Sequence, residues 1–63
     1  MKIESRSDIE FARKAFARDW SIPAETRAEI LDQLFTIVRT HQSHRWVLSA
    51  ARAIEASERS QSA

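Results

Sequence analysis

Two histidines, His41 and His44, stand three residues apart, a spacing that binds a metal ion when both lie on one helix. The polar residues from Thr40 to His44 instead predict a break between two helices, and no third ligand of suitable spacing accompanies them. His41 also continues the inner line of the preceding helix, where an imidazole interacts favourably with the dipole at the helix C-terminus. We therefore predict a structural role for both histidines, with no metal and no cofactor.

Serines and carboxylates are the other groups that could do chemistry, and their pattern does not suit catalysis. A serine nucleophile needs a base and an orienting acid around one cleft, and nothing in the sequence indicates such a group. Glu25, Glu29 and Asp32 fall on the solvent side of their predicted helix, away from the burial that acid–base catalysis requires. The chain contains no glycine, which excludes phosphate-binding loops, dinucleotide fingerprints and nucleophile elbows. We predict that the protein is not an enzyme.

An arginine recurs every seven residues near the end of the chain, at Arg45, Arg52 and Arg59. On a helix this spacing keeps the three side chains within about 40° of one another. Such a row suits the phosphates of a nucleic acid. It equally suits a solvated face, because Glu55 is placed to pair with Arg52 or Arg59. With a net charge of +1, we favour the solvated face and keep phosphate contacts as the alternative.

Three amphipathic segments carry these residues and predict an all-α fold, a small three-helix bundle. The absence of glycine also disfavours the tight turns of β-hairpins. The predicted helices span about residues 7–20, 23–40 and 44–58. They are expected to run up-down-up with short connections in a single domain, residues 1–63, whose ends at 1–6 and 59–63 fray.

The first helix is predicted to begin with a capping box. In it, the Ser7 hydroxyl accepts from the Glu10 N–H while the Glu10 carboxylate accepts from the Ser7 N–H. Pro23 disfavours helix at the residue before it, so the first helix ends by about Trp20 and the second begins at the proline. The predicted inner face of the first helix comprises Ile9, Ala12, Phe16 and Trp20, with Ala15 beside them.

The second helix holds the densest apolar set in the chain, and we predict that the rest of the chain packs against it. At 100° per residue, Ile30, Leu34 and Val38 form one line, with Leu31 and Ile37 on its flanks. The third helix, which Ser43 is predicted to cap, has an inner face rich in alanine that lets backbones approach closely. That face comprises Val47, Ala50, Ala51 and Ile54, flanked by Trp46 and Ala53.

The second and third helices resemble a HEAT or armadillo helix pair. The resembling stretches are Arg27–Leu31 (RAEIL) on one helix and Ala50–Ile54 (AARAI) on the other. Repeat proteins of these families stack several such pairs, whereas this chain has one. The strings IPAETRAEIL and AARAIEASERSQ also resemble short helical proteins of bacteria and phages, some tied to DNA packaging. Neither resemblance carries over a functional residue.

A chain of 63 residues without cysteine forms a core that rarely supplies more than about 3–5 kcal/mol, so a bound partner is expected. We predict a non-catalytic protein–protein interaction module that self-associates as a homo-oligomer. The alternative is a small DNA-binding protein that uses Arg45, Arg52 and Arg59. The candidate anchors for a protein partner are Phe11, Trp20, Phe35, Trp46 and Leu48. No apolar run reaches membrane-spanning length and residues 1–8 lack a signal-peptide core, so we expect no membrane contact and a cytoplasmic location.

Overall fold

A computed structural model describes residues 2–18 and 21–61 and contains three helices. The helices are α1 (Arg6–Ala17), α2 (Ala24–Thr40) and α3 (His44–Gln61). The described residues include no strand, and the predicted all-α three-helix fold is confirmed. Trp20, which was predicted both to end the first helix and to anchor a partner, lies outside the described residues.

The N-cap of α1 lies two residues earlier than predicted, because a different serine caps the helix. Ser5 is the N-cap, with an extended backbone. The Asp8 N–H donates to the Ser5 Oγ at 3.4 Å, and the Ser5 N–H donates to the Asp8 Oδ2 at 3.1 Å. The predicted capping box of Ser7 and Glu10 is therefore wrong. The carboxylate that accepts from the N-cap N–H is that of Asp8, three residues after Ser5, and not that of Glu10. Glu10 pairs instead with Arg13 at 2.9 Å.

Arg27 shows how the three helices run relative to one another. Its guanidinium carbon lies 5.0 Å from the centroid of the Phe16 ring, and its Nη1 donates to the Ser57 Oγ at 2.8 Å. The first turn of α2 thus meets the C-terminal ends of both α1 and α3. α2 therefore runs antiparallel to its two neighbours, which is the predicted up-down-up arrangement.

α3 is the helix against which both others pack, a position that the sequence analysis assigns to α2. The extensive helix–helix contacts among the described residues are those of α1 with α3 and of α2 with α3. Small side chains on the packed face of α3 let both neighbours come close to its backbone. The buried ones are Ser49, Ala50, Ala53 and Ser57. Ala51, predicted on this face, is exposed, and the two buried serines were not predicted there.

The core is built largely from α1 and α3. Ile9, Ala12 and Phe16 of α1 are buried, as their spacing predicts. α2 contributes only Ile30 and Leu34 to the buried set. Val38, which was predicted to lie in line with these two, retains 37% of its surface. α2 therefore turns only part of its wide apolar face towards the core.

The residues ahead of α1 pack on the bundle, although residues 1–6 were expected to fray. The Ile3 N–H donates to the Gln33 Oε1 at 2.6 Å, and the Ile3 side chain lies half-buried against the core. At the other end, α3 continues to Gln61, three residues beyond its predicted end at Glu58.

Candidate interaction surface

α2 carries two parallel lines of residues, of which only one faces the core. The residues of the core line are spaced alternately by three and four: Arg27, Ile30, Leu34 and Ile37. A second line alternates by four and three: Ala24, Ala28, Leu31, Phe35 and Val38. We call this second line the outer seam. Heptad spacing of this kind produces a straight seam along which another helix can pack.

The outer seam is exposed over most of its length. Phe35 and Val38, one turn apart, retain 43% and 37% of their surface. Ala24 and Ala28 are also exposed, while Leu31 is half-buried and packs against the core. The outer seam is therefore a narrow apolar strip in which large side chains face solvent side by side.

Two opposite charges border the outer seam on its solvent side. Asp32 stands three residues before Phe35, and Arg39 stands four residues after it. Both side chains are exposed, and neither forms an ion pair with another residue of the described ranges. By helix geometry they are about 10 Å apart along the axis and within about 20° of each other around it. The two charges therefore lie on one flank of the seam.

The predicted anchors are not gathered on one surface. Phe11, 54% exposed, lies on α1 in a shallow depression between Arg6 and Lys14. Leu48, 44% exposed, lies on the outer face of α3. Neither has a large exposed apolar side chain one turn away on its own helix. Among the predicted anchors that the structure describes, only Phe35 has such a neighbour, and that neighbour is Val38.

Trp46 closes the end of the bundle at the turn between α2 and α3. Its ring stacks on that of His41, with 4.4 Å between the ring centroids and 7° between the ring planes. The Ser43 N–H donates to the His41 Nδ1 at 3.0 Å, which occupies that nitrogen. The residues within 2–18 and 21–61 include no group of three or more side chains suited to hold a metal ion. Trp46 and His41 thus contact each other across this turn.

The predicted arginine row lies on the exposed face of α3. Arg45 and Arg52 are exposed and form no ion pair within the described part of the chain. Arg59 pairs with Glu55 at 2.5 Å, which is one of the two pairings that the spacing predicts. Leu48 stands between Arg45 and Arg52 in the sequence and on the same face of the helix. This surface therefore mixes cations with one exposed leucine.

Sequence reasoning identified Phe35 but missed Val38 as a surface residue. It assigned Val38 to the core because the position lies about 40° from Leu34 on the helix. The signal that identifies the outer seam is the spacing of four, three, four and three from Ala24 to Val38, which is visible in the sequence. That spacing duplicates the core line and indicates a helix with two packing faces.

Comparison with known proteins finds no matching family model, no similar curated protein and no similar solved structure. The likeness of α2 and α3 to a HEAT or armadillo pair, and of the chain to short phage proteins, therefore stays a prediction. The described helices include none that is long and apolar enough to cross a bilayer. Among the described residues, the outer seam of α2 and the arginine row of α3 are the exposed features from which a function can be argued.

Proposed function

We propose that this protein is a non-catalytic helical interaction module that self-associates through the outer seam of α2. The observation that carries this proposal is the pair of exposed side chains Phe35 and Val38, which continue the line of Leu31. Exposed apolar residues that stand singly are ordinary on protein surfaces, whereas contiguous ones mark contact sites. Removing the exposed part of Phe35 from water would stabilise a complex by about 2 kcal/mol per copy.

A second copy of the chain is the partner that the size of the domain favours. A chain this short without cysteine has a core that rarely supplies more than about 3–5 kcal/mol, and α2 adds only Ile30 and Leu34 to the buried residues. Packing two α2 helices along their outer seams would bury apolar surface that the monomer leaves in water. The proposed location is the cytoplasm, since a chain with no cysteine needs no oxidising compartment.

Replacing Phe35 with alanine should dissociate the oligomer while the monomer stays folded. The substitution removes the largest side chain of the outer seam, and alanine favours helix. We expect the dissociation constant to rise by roughly tenfold or more, as for an aromatic anchor of an interface. Sedimentation equilibrium over a wide concentration range measures the shift, and circular dichroism verifies that helix content is retained.

Leu48→Ala is the matched control, because Leu48 and Phe35 are exposed to nearly the same extent, 44% and 43%, on different helices. This variant should associate like the parent. A parent that remains monomeric at every concentration contradicts the proposal. Dissociation by Leu48→Ala but not by Phe35→Ala would place the interface on α3 and contradict the assignment to the outer seam.

A second candidate function is phosphate binding by the arginine row of α3. The observation that favours it is the exposure of Arg45 and Arg52, which have no ion pair among the residues described. The net charge of +1 weighs against it, because non-specific affinity for nucleic acid depends on a large excess of cations. Self-association therefore remains the first proposal.

Replacing Arg45, Arg52 and Arg59 together with glutamine distinguishes the two functions. Glutamine is a good helix former, so the fold should survive. A protein that binds phosphates through these residues would bind duplex DNA with an affinity that falls steeply with salt. The variant would then lose about one unit of log–log slope for each contact removed. We expect negligible binding by the parent at physiological salt, measured by fluorescence anisotropy. Salt-dependent binding that the variant lacks would make nucleic acid the leading function.

A further inference from the structure

We infer that two copies associate with their α2 helices antiparallel, about a two-fold axis beside Phe35, and that reciprocal pairs between Asp32 and Arg39 fix this register. The inference rests on the proposed self-association through the outer seam. It adds the direction and the register of the two helices to that proposal.

The two charges that border the outer seam are placed symmetrically about Phe35. The midpoint between Asp32 and Arg39 falls between Phe35 and Thr36. Consider a two-fold axis that passes between two helices, perpendicular to the plane that contains them. It makes the helices antiparallel, and the same flank of both helices then lies on the same side of that plane. Such an axis at the midpoint sets Asp32 level with the partner subunit's Arg39, and Arg39 level with the partner subunit's Asp32. Two opposite-charge pairs form from side chains that the monomer leaves without an ion pair among the described residues.

The same axis brings the apolar residues of the two outer seams together. Measured along the helix axis, Phe35 is offset by only about 1.5 Å from the partner subunit's Phe35, so the two rings meet at the two-fold axis. Measured along the helix axis, Val38 is offset by about 3 Å from the partner subunit's Phe35 and by the same distance from the partner subunit's Leu31, so its side chain can reach both. The most exposed apolar side chains of α2 thus occupy the centre, and the charges occupy the rim. This is the usual division of a protein–protein interface.

Other arrangements of the same seam do not form the pairs between Asp32 and Arg39. A parallel pair in register, related by a two-fold axis along the helices, places Asp32 and the partner subunit's Asp32 on opposite flanks of the seam, and does the same with Arg39, so no Asp32–Arg39 pair forms. An antiparallel pair that overlaps α2 along its whole length has its axis at the middle of Ala24–Thr40, which is Asp32 itself. Two Asp32 carboxylates would then meet at the axis. Of these three arrangements, the axis beside Phe35 is the one that pairs Asp32 with Arg39 twice and brings no like charges together, so it is the one that the charge pattern favours.

Charge reversal tests this register. Asp32→Arg makes both flanking positions cationic and turns two attractive pairs into two repulsive ones. Arg39→Asp does the same with anionic positions. Each single change should raise the dissociation constant by roughly tenfold, and the double change D32R/R39D should restore it because the pairs re-form in reverse. The effect of the single changes should shrink at high salt, since the pairs lie at the solvent-exposed rim.

Mixing the double variant with the parent distinguishes antiparallel from parallel helices. In the antiparallel register, a mixed dimer sets Arg against Arg and Asp against Asp, so the two proteins should form separate homodimers. In a parallel pair the charged positions of the two helices lie on opposite flanks of the seam, so the mixed dimer would form as readily as either homodimer. The two chains have the same composition, so an affinity tag on the parent is used to capture the variant. Little co-capture relative to a tagged-parent and untagged-parent mixture is the expected result.

The outcomes separate this inference from the proposal on which it rests. If the parent is monomeric at every concentration, both fail. If Phe35→Ala dissociates the dimer but neither charge reversal changes the dissociation constant, self-association stands and the register is wrong. Capture of the double variant by the tagged parent as efficient as the capture of untagged parent would likewise overturn the antiparallel arrangement. Circular dichroism of each variant verifies the fold, which the exposed positions of Asp32 and Arg39 should preserve.

Discussion

Replacing Leu34 with alanine should leave the protein largely unfolded at room temperature. Leu34 has no exposed surface and is one of only two residues that α2 contributes to the buried set. Truncating a buried leucine costs about 2–5 kcal/mol, because the apolar contacts are lost and the cavity closes only in part. A core of this size rarely supplies more than about 3–5 kcal/mol, so the loss is comparable with the stability itself. A thermal melt followed by circular dichroism should show a transition far below that of the parent.

Val38→Ala on the same helix is the matched control. The periodicity of α2 places Val38 in line with Leu34, but Val38 retains 37% of its surface, and its truncation should cost less than about 1 kcal/mol. The melts should be recorded at a concentration low enough to keep the chain monomeric, so that the outer seam does not contribute. A Leu34→Ala variant that melts close to the parent would show that the core does not depend on this leucine.

The contrast between Leu34 and Val38 shows how far periodicity alone predicts this fold. It predicts the existence of each helix, and it places α2 at 23–40 where the structure has Ala24–Thr40. It does not predict which side of a wide apolar stripe meets another helix. That choice depends on the positions of α1 and α3, which are properties of the whole bundle. The spacing in the sequence marks two apolar lines on α2, and the positions of α1 and α3 decide which of the two is exposed.

The start of α1 illustrates the same limit on a smaller scale. The sequence contains two overlapping capping boxes, one from Ser5 to Asp8 and one from Ser7 to Glu10. Local chemistry does not decide between them, since each supplies a hydroxyl and a carboxylate at the required spacing. The capping box from Ser5 to Asp8 is the one that forms. Just before it in the chain, the Ile3 N–H donates to the Gln33 side chain.

The sequence predicts α2 as the central helix, in place of α3, because that prediction rests on the number of large apolar side chains. α2 has more of them, yet a helix that is packed on two sides needs small ones there, so that both neighbours can approach its backbone. Ser49 and Ser57 meet this need as well as Ala50 and Ala53 do, and all four are buried. Residue volume is therefore a better guide to the centre of this bundle than hydrophobicity.

Ala50→Leu should accordingly destabilise the protein, although by less than the truncation of Leu34. Ala50 has no exposed surface, so the larger side chain must push a neighbouring helix away from α3 or adopt a strained rotamer. Overpacking of this kind costs about 1–3 kcal/mol and more where the backbone cannot move. In a domain of this size the melting temperature should fall by roughly 10 °C.

Ala51→Leu, at the next position along the chain, is the control that makes this result decisive. The sequence pattern assigns both alanines to the inner face of α3, whereas the structure buries Ala50 and exposes Ala51. Leucine and alanine are both strong helix formers, so the exposed substitution should leave the melt nearly unchanged. Equal destabilisation by the two variants would contradict the orientation of α3. A large loss at Ala50 beside an unchanged melt at Ala51 would show that close approach at small residues of α3 holds the bundle together.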